Sequence, residues 1–164
     1  MTAKEYLTDY TALKREAEDL KHRVEELREK RLYIKSLDMS SAVSGGTRKD
    51  ISDTVAAIDN LIAKYLRKIK EFISIEAEIL ETIERIKDPI ERDILTLRYI
   101  QDKDPKTGKP YTWLKIAERV NYSERSAQYK HGEALISYEV AAAEKKKKGR
   151  IHPSKAAAIT ASTF

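Results

Sequence analysis

Apolar residues recur along the first part of the chain in alternating steps of four and three, with charged residues between them. A heptad repeat of this kind places its apolar side chains on one side of a helix, so it predicts a single helix over residues 2–35. Only Arg31 interrupts the row. The row consists of Ala3, Tyr6, Tyr10, Leu13, Ala17, Leu20, Val24, Leu27, Arg31 and Ile34.

A serine-rich stretch with a glycine pair, SLDMSSAVSGGTRKD at 36–50, ends this pattern and predicts a loop. The heptad row then resumes at Val55 and continues to Ile86. At 1.5 Å per residue the two helices measure roughly 50 and 57 Å, and such similar lengths favour an antiparallel coiled-coil hairpin over residues 1–87. Two separate helices that each pair in parallel with a second copy are the alternative.

The second helix carries more apolar surface than one partner helix covers. Leu66, Ile73 and Leu80 form another row beside the main one, and Ile75 extends the apolar surface on the other flank. A wide apolar face needs a second neighbour, which is either the C-terminal domain or another subunit. We expect self-association through the coiled coil, and a monomeric helical bundle is the simpler alternative.

A new unit begins with the stretch KDPIERDILTLRYI. Asp88 is suited to cap a helix and Pro89 fits the first helical position, so a helix is predicted to start here. The polar stretch QDKDPKTGKPY at 101–111 predicts a loop. Its Gly-Lys pair lacks the upstream glycine and the following Ser or Thr of a phosphate-binding loop.

The stretch TWLKIAERVNYSERSAQYKHGEAL at 112–135 predicts two helices across a tight turn. Thr112 and Ser123 are candidate helix caps, and small Ala127 permits close packing of the second helix on the first. A helix-turn-helix needs this division, in which one helix braces and the other presents a polar N-terminal face to the major groove. This division favours a helix-turn-helix DNA-binding domain over residues 88–140, and a helical bundle, in which short turns of this kind are common, is the alternative.

The polar residues around this turn are the candidate DNA contacts. Arg and Gln are suited to base edges, while Ser, Tyr and Lys are suited to phosphates. The positive end of the second helix also favours a nearby phosphate. Together with four lysines further along the chain, the candidates are Lys115, Ser123, Arg125, Ser126, Gln128, Tyr129, Lys130, Lys145, Lys146, Lys147 and Lys148.

The net charge of +5 arises almost entirely at the C-terminal end. Residues 1–88 sum to −1 and residues 89–140 to +1, whereas residues 141–164 sum to +5. We therefore predict a basic flexible tail over 141–164, whose clustered lysines contact phosphates without sequence preference.

Other classes of protein lack support in the sequence. No apolar run approaches the ~18 residues of a membrane span, and MTAKEYLTDY lacks the apolar core of a signal peptide, so we expect a cytoplasmic protein with no membrane partner. The chain has no cysteine, no convincing metal-ligand spacing and no nucleophile–base motif. We expect no catalytic residue, no metal, no cofactor and no enzymatic activity. His131 is predicted to pack or to hydrogen-bond within the fold.

The stretches DPIERDILTLRYI and TWLKIAERVNYSERSAQYKHGEAL together resemble region four of bacterial sigma factors, which reads the promoter −35 element. The loop 101–111 is longer than in typical sigma factors, Ala127 replaces a usual Val, and a segment like sigma region two is absent, which argues against a complete sigma factor. The matching residues are Arg92, Leu95, Leu97, Arg98, Tyr99, Ile116, Ala117, Glu118, Ser123, Ala134 and Leu135.

With MTAKEYL at the start, Trp113, YS and the pattern HG-x-AL, the chain is also similar to small phage and prophage regulators of the ArpU and RinA type. The resemblance spans most of residues 1–138 and is specific over 89–135. It implies an all-α protein in which a long antiparallel coiled-coil hairpin precedes a sigma-region-four-like helix-turn-helix.

The function that the resemblance implies is sequence-specific regulation of phage or prophage transcription, of late genes in particular, in the cytoplasm of the bacterial host. The expected partners are double-stranded DNA and further copies of the chain, with host RNA polymerase as a candidate. One alternative is a small terminase subunit that recognises viral DNA for packaging. The other is a helical scaffold or adaptor that does not bind DNA.

Overall fold

The computed structural model describes residues 2–40, 48–101 and 103–150, with side chains over 2–37, 50–101 and 103–147. This part of the chain is all-α, as predicted, and contains five α-helices, one π-helical turn and no strand. The predicted glycine-pair turn and the residues beyond 150 lie outside the described residues. The elements are α1 (Ala3–Ser40), α2 (Arg48–Glu84), α3 (Pro89–Leu95), a π-helical turn (Thr96–Gln101), α4 (Trp113–Val120) and α5 (Glu124–Arg150).

Three predicted helix ends differ from the structure, the first being the start of α2, which lies at Arg48 inside the predicted loop 36–50. Helix α1 continues through residues 36–40, which were predicted to be loop, because these residues contain neither Gly nor Pro to stop it. Helix α5 likewise continues to Arg150, so the predicted flexible tail does not begin at residue 141. The stretch VAAAEKKKK at 140–148 consists mostly of strong helix formers, and its lack of a hydrophobic period does not prevent a helix.

Contacts between residues group the chain into two compact units. The helix-pair unit is Ala12–Glu76, and the terminal unit combines Met1–Thr11 with Ala77–Phe164. The division falls within α1 and within α2, whereas the sequence analysis placed a domain boundary at residue 87. The boundary at residue 87 remains a prediction of where the segment for assembly ends and the segment for DNA binding begins.

The two helices of the helix-pair unit run antiparallel. Glu16 on α1 lies 3.3 Å from Lys68 on α2, and further along α1 the Arg31 guanidinium donates a hydrogen bond of 3.1 Å to Asp59. Between these pairs lies an apolar cluster of Leu20, Val24, Ile62, Tyr65 and Ile69. All five side chains belong to the predicted heptad rows. The coiled-coil geometry of the pair and its role in assembly remain predictions.

The second apolar row on α2 is poorly covered. Leu66 is 42% exposed and Ile73 is 52% exposed, whereas their neighbours Ile69 and Phe72 are buried. Helix α2 therefore uses one side for its intramolecular partner and leaves an adjacent apolar side open.

The terminal unit is built around α5, which packs against α3 and α4. The side chains of its inner face are buried at Ala127, His131, Ala134, Tyr138 and Ala141. The start of α1 joins this unit through the backbone N–H of Ala3, which donates a 2.9 Å hydrogen bond to the Glu139 carboxylate. A second cluster, Ile94, Leu97, Tyr111 and Ile116, joins α3, the π-helical turn, the loop and α4.

Candidate nucleic-acid interface

Helices α4 and α5 each begin with the capping residue that the sequence predicted. The hydroxyl of Thr112 accepts from the N–H of Lys115 at 3.3 Å, and the hydroxyl of Ser123 accepts from the N–H of Ser126 at 3.2 Å. Asn121 ends α4 in the left-handed conformation with φ 57°, which Asn tolerates better than most residues. The short turn therefore has a defined geometry.

Ala127 sets how closely α5 approaches α4. Its side chain is fully buried, as are those of Ile116 and Ala117 on α4. A side chain with only one methyl group lets the two helix backbones come near each other, whereas a Val at this position adds volume that a packed interior resists. The inward orientation predicted for Ala127 and Ala134 is confirmed.

The opposite side of the first turns of α5 is open to solvent. Arg125, Ser126, Gln128 and Tyr129 are all exposed, Tyr129 at 72%. The Arg125 guanidinium forms no hydrogen bond or ion pair with the described residues. The Gln128 amide donates to Glu124 at 3.3 Å, a surface contact between residues one turn apart that solvent or a ligand can replace. These four predicted residues share one exposed surface, which we call the reading face.

Two serines bond to one another at the edge of the reading face. The Ser123 hydroxyl donates to the Ser126 hydroxyl oxygen at 2.8 Å while it accepts from the Ser126 N–H. Ser123 therefore acts first as a helix cap, and its predicted phosphate contact requires this arrangement to open.

Lys130 lies away from the reading face. Its ammonium is held by three carboxylates, Glu133 at 2.8 Å, Asp88 at 2.9 Å and Glu91 at 3.2 Å. Hydrogen bonds to Glu133, Asp88 and Glu91 raise the pKa of Lys130 above its usual range. The predicted phosphate contact of Lys130 is at odds with this placement, because an approaching phosphate meets three negative charges. The spacing of Lys130 and Glu133 was visible in the sequence, but residues 88 and 91 come near only through the fold.

The other candidate lysines, on α4 and near the end of α5, differ in their exposure and in their ion pairs. Lys115 is exposed on α4 and forms a 3.0 Å ion pair with Glu118. Lys145 forms a 2.7 Å ion pair with Glu81, so its charge is partly satisfied within the chain. Lys146 and Lys147 are exposed on α5, roughly 30 Å from Arg125 along the helix at 1.5 Å per residue. The side chain of Lys148 lies outside the described residues.

An aromatic cluster beneath α5 fixes the rotation of this helix. The Tyr99 hydroxyl and His131 Nε2 are 3.0 Å apart, and the Trp113 and His131 rings meet in a T-shaped arrangement with centroids 5.1 Å apart. The Arg98 guanidinium lies 4.9 Å from the centre of the Trp113 ring. The cluster joins the π-helical turn, α4 and α5, and therefore helps to determine which α5 residues face outward. The predicted packing role of His131 is confirmed, but its partners were not predicted.

Burial weakens the affinity of the His131 imidazole for a proton. Desolvation, with a contribution from the nearby charges of Arg98 and Lys4, lowers the pKa of His131 to about 4. The imidazole is consequently neutral near pH 7 and able to share one hydrogen bond with Tyr99. The pKa of Tyr99 is raised by burial, so this hydroxyl keeps its proton as well.

The described residues contain no cluster of three or more His, Asp or Glu side chains arranged to hold a metal ion. None of the described helices has the length and apolar character to cross a membrane. Comparison of the chain with family models, with curated proteins and with solved structures finds no match.

The Lys130 cluster generates a first prediction. Replacing Lys130 by Met should lower the melting temperature by several degrees, because three neighbouring carboxylates lose their shared cation. Thermal unfolding at pH 7 measures the effect. Lys115→Met, which removes a more exposed lysine from a single ion pair, should change the melting temperature much less. If the two substitutions lowered the melting temperature equally, the larger contribution to stability expected of the Lys130 cluster would be contradicted.

A second prediction concerns acid pH. The unfolded chain binds a proton at His131 near pH 6.5 but the folded chain only near pH 4, so stability falls as pH is lowered through this window. The loss is on the order of 3 kcal/mol at most. Denaturant unfolding between pH 7 and pH 4 should show a shallower decline for His131→Gln than for the unsubstituted chain. His22→Gln, at an exposed position on α1, is the matched control, and a His131→Gln curve that parallels it would refute the assignment.

Proposed function

We propose that this chain binds double-stranded DNA through the reading face of α5 and acts as a sequence-specific regulator of phage or prophage transcription. The observation that carries the proposal is the arrangement of α4 and α5. A fully buried Ala127 seats α5 against its bracing helix, while Arg125, Ser126, Gln128 and Tyr129 remain exposed at its N-terminal end. A helix-turn-helix presents its second helix to the major groove in this manner.

The dimensions and chemistry of the reading face suit a base-paired target. A helix about 10–12 Å across fits a major groove about 12 Å wide. Arg125 has the bidentate donors that match guanine, and Gln128 has the donor and acceptor that match adenine. Ser126 and Tyr129 supply hydroxyl groups for phosphate oxygens.

The electrostatic contribution of the reading face itself is modest. Glu124 and Arg125 offset each other in the first turn, and the positive end of the α5 dipole adds roughly half a charge. Among the predicted contacts whose side chains the structure describes, Lys115, Lys146 and Lys147 are the exposed lysines that remain able to meet phosphates. We therefore expect DNA binding that depends strongly on base contacts and on the presence of more than one copy.

The proposal includes self-association through the helix pair, a location in the cytoplasm of a bacterial host, and host RNA polymerase as a candidate partner. The resemblance to sigma region four and to the ArpU and RinA regulators supports these parts. The exposed apolar row on α2 also supports self-association. The other side of α2 packs against α1 and leaves this row without a neighbour within the helix pair.

Footprinting on the whole genome of a host carrying the phage or prophage tests the regulatory role. Protected sites just upstream of late-gene promoters are expected. Protection confined to a packaging site would replace the proposal by the terminase alternative. Absence of any protected site, together with no binding to duplex DNA at low salt, would favour the scaffold alternative.

Substitutions on the reading face test which residues carry specificity. Arg125→Ala and Gln128→Ala should each weaken binding to the cognate duplex by ~1–3 kcal/mol and affect a scrambled duplex much less, because base contacts are lost. Lys115→Ala should weaken binding to both duplexes similarly, since a phosphate contact carries no sequence information. Titrations of all variants at one salt concentration provide the measurement.

Arg15→Ala, an exposed arginine on α1, is the matched control for loss of positive charge and should leave both affinities nearly unchanged. If Arg125→Ala and Gln128→Ala bind the cognate duplex as tightly as the Arg15→Ala control does, α5 does not read the sequence.

A further inference from the structure

The exposed apolar row on α2 has the spacing of a helix–helix contact. Leu66 and Ile73 are seven residues apart, so they lie on the same side of α2 and are 42% and 52% exposed. Leu80 continues the row one heptad further and is half-buried. Ala63 and Ala77 flank the row, and small side chains there allow another helix to approach.

The charges of α2 are separated along the helix. Residues 64–70 contain four basic residues and no acidic one, whereas residues 71–84 contain five glutamates and no basic residue. The change of sign falls two residues before Ile73, near the middle of the exposed row. The basic residues are Lys64, Arg67, Lys68 and Lys70, and the acidic residues are Glu71, Glu76, Glu78, Glu81 and Glu84.

This distribution is unfavourable for α2 alone. The C-terminal end of a helix carries a partial negative charge and prefers cations, yet α2 has no basic residue in its last turn. Lys145 and Arg85 pair with Glu81 at 2.7 and 2.8 Å. Glu78 and Glu84 are exposed and form no ion pair with the described residues. An arrangement that costs stability locally calls for a compensating contact elsewhere.

We propose that α2 pairs with α2 of a second copy of this chain in antiparallel orientation, centred near Ile73. With Ile73 opposite the partner's Ile73, Leu66 faces the partner's Leu80, because both lie seven residues from the centre. The basic segment 64–70 of each copy then runs beside the acidic segment of the other. Opposite charges flanking an apolar seam select both partner and orientation in paired helices.

Two other arrangements fit less well. A parallel pair of α2 helices places basic beside basic and acidic beside acidic segments, which is destabilising. An unrelated partner requires its own complementary charge pattern, whereas a second copy supplies that pattern automatically. The self-complementary charge distribution therefore identifies the occupant of the row.

The expected contact is small. The charged segments span residues 64–84, or about 30 Å of helix, and a seam of that length along a helix about 10 Å across buries less than the ~800 Å² per partner of a standard interface. We therefore expect reversible association at tens of micromolar, on the order of 6 kcal/mol in binding free energy by the usual conversion. The inference rests on the self-association part of the proposed function and makes no use of DNA.

Charge reversal in the full-length chain tests the orientation. The double variant Arg67→Glu with Lys70→Glu and the double variant Glu78→Lys with Glu84→Lys should each weaken self-association at least about tenfold, because like charges then face each other. The four substitutions combined in one chain should restore association, and an equimolar mixture of the two double variants should form a mixed pair. Sedimentation velocity from ~1 to ~100 μM provides the readout, and circular dichroism checks that each variant remains helical.

The apolar row is tested separately. Ile73→Ala should weaken association by about tenfold, whereas Leu114→Ala, which shortens an exposed leucine on α4, should leave it unchanged. A chain that stays monomeric throughout the concentration range would overturn the inference. Association that the two double variants leave intact would overturn the antiparallel pairing. DNA binding by a monomeric chain would overturn the inference while leaving the DNA-reading proposal in place, so the two failures are distinguishable.

Discussion

Burial of the inner face of α5 is the constraint on which the terminal unit depends. Helices α3 and α4 are short, with seven and eight residues, and helices of this length are not stable in water without tertiary packing. They are held because α5 offers a continuous strip of small and aromatic side chains against which both pack. Ala127, Ala134 and Ala141 allow close approach, while His131 and Tyr138 fill the spaces between them.

The same strip links stability to the proposed reading function. The contact of His131 with Tyr99 and Trp113 fixes the rotation of α5, and rotation decides whether Arg125 and Gln128 point to solvent or to the interior. A neutral imidazole suits this position, because a charged one would lie near the guanidinium of Arg98. On the side of α5 that faces α3, the contact is made by ion pairs of Lys130 with Asp88 and Glu91 rather than by apolar packing.

Helix α2 has two apolar sides, one buried and one exposed. Its buried side pairs with α1 through Ile69 and its neighbours, whereas Leu66 and Ile73 lie beside that contact and face solvent. Its charges divide into a basic segment, in which Lys68 pairs with Glu16 of α1, and an acidic segment. In the antiparallel pairing proposed above, this second surface of α2 contacts another copy of the chain.

Local patterns in the sequence predicted the main helices and the residues that cap the starts of α3, α4 and α5. Asp88, Thr112 and Ser123 were predicted as caps because capping depends on residues within one turn, and the heptad rows predicted which sides of α1 and α2 are buried. The outward orientation of Arg125 and Gln128 followed from helical period alone. The predicted ends of α1 and α5 were wrong, because both helices continue beyond the last residue of the apolar repeat. Residues 140–148, for example, are mostly strong helix formers although they have no apolar stripe.

Contacts between distant residues were decided only by the tertiary structure. The sequence predicts that Lys130 contacts phosphate, whereas the fold places Asp88 and Glu91, some forty residues earlier, beside its ammonium. The pairing of Lys145 with Glu81 and the meeting of Tyr99, Trp113 and His131 have the same origin. Periodicity fixes the direction in which a side chain leaves its own helix, whereas its partner depends on how helices far apart in the sequence pack together.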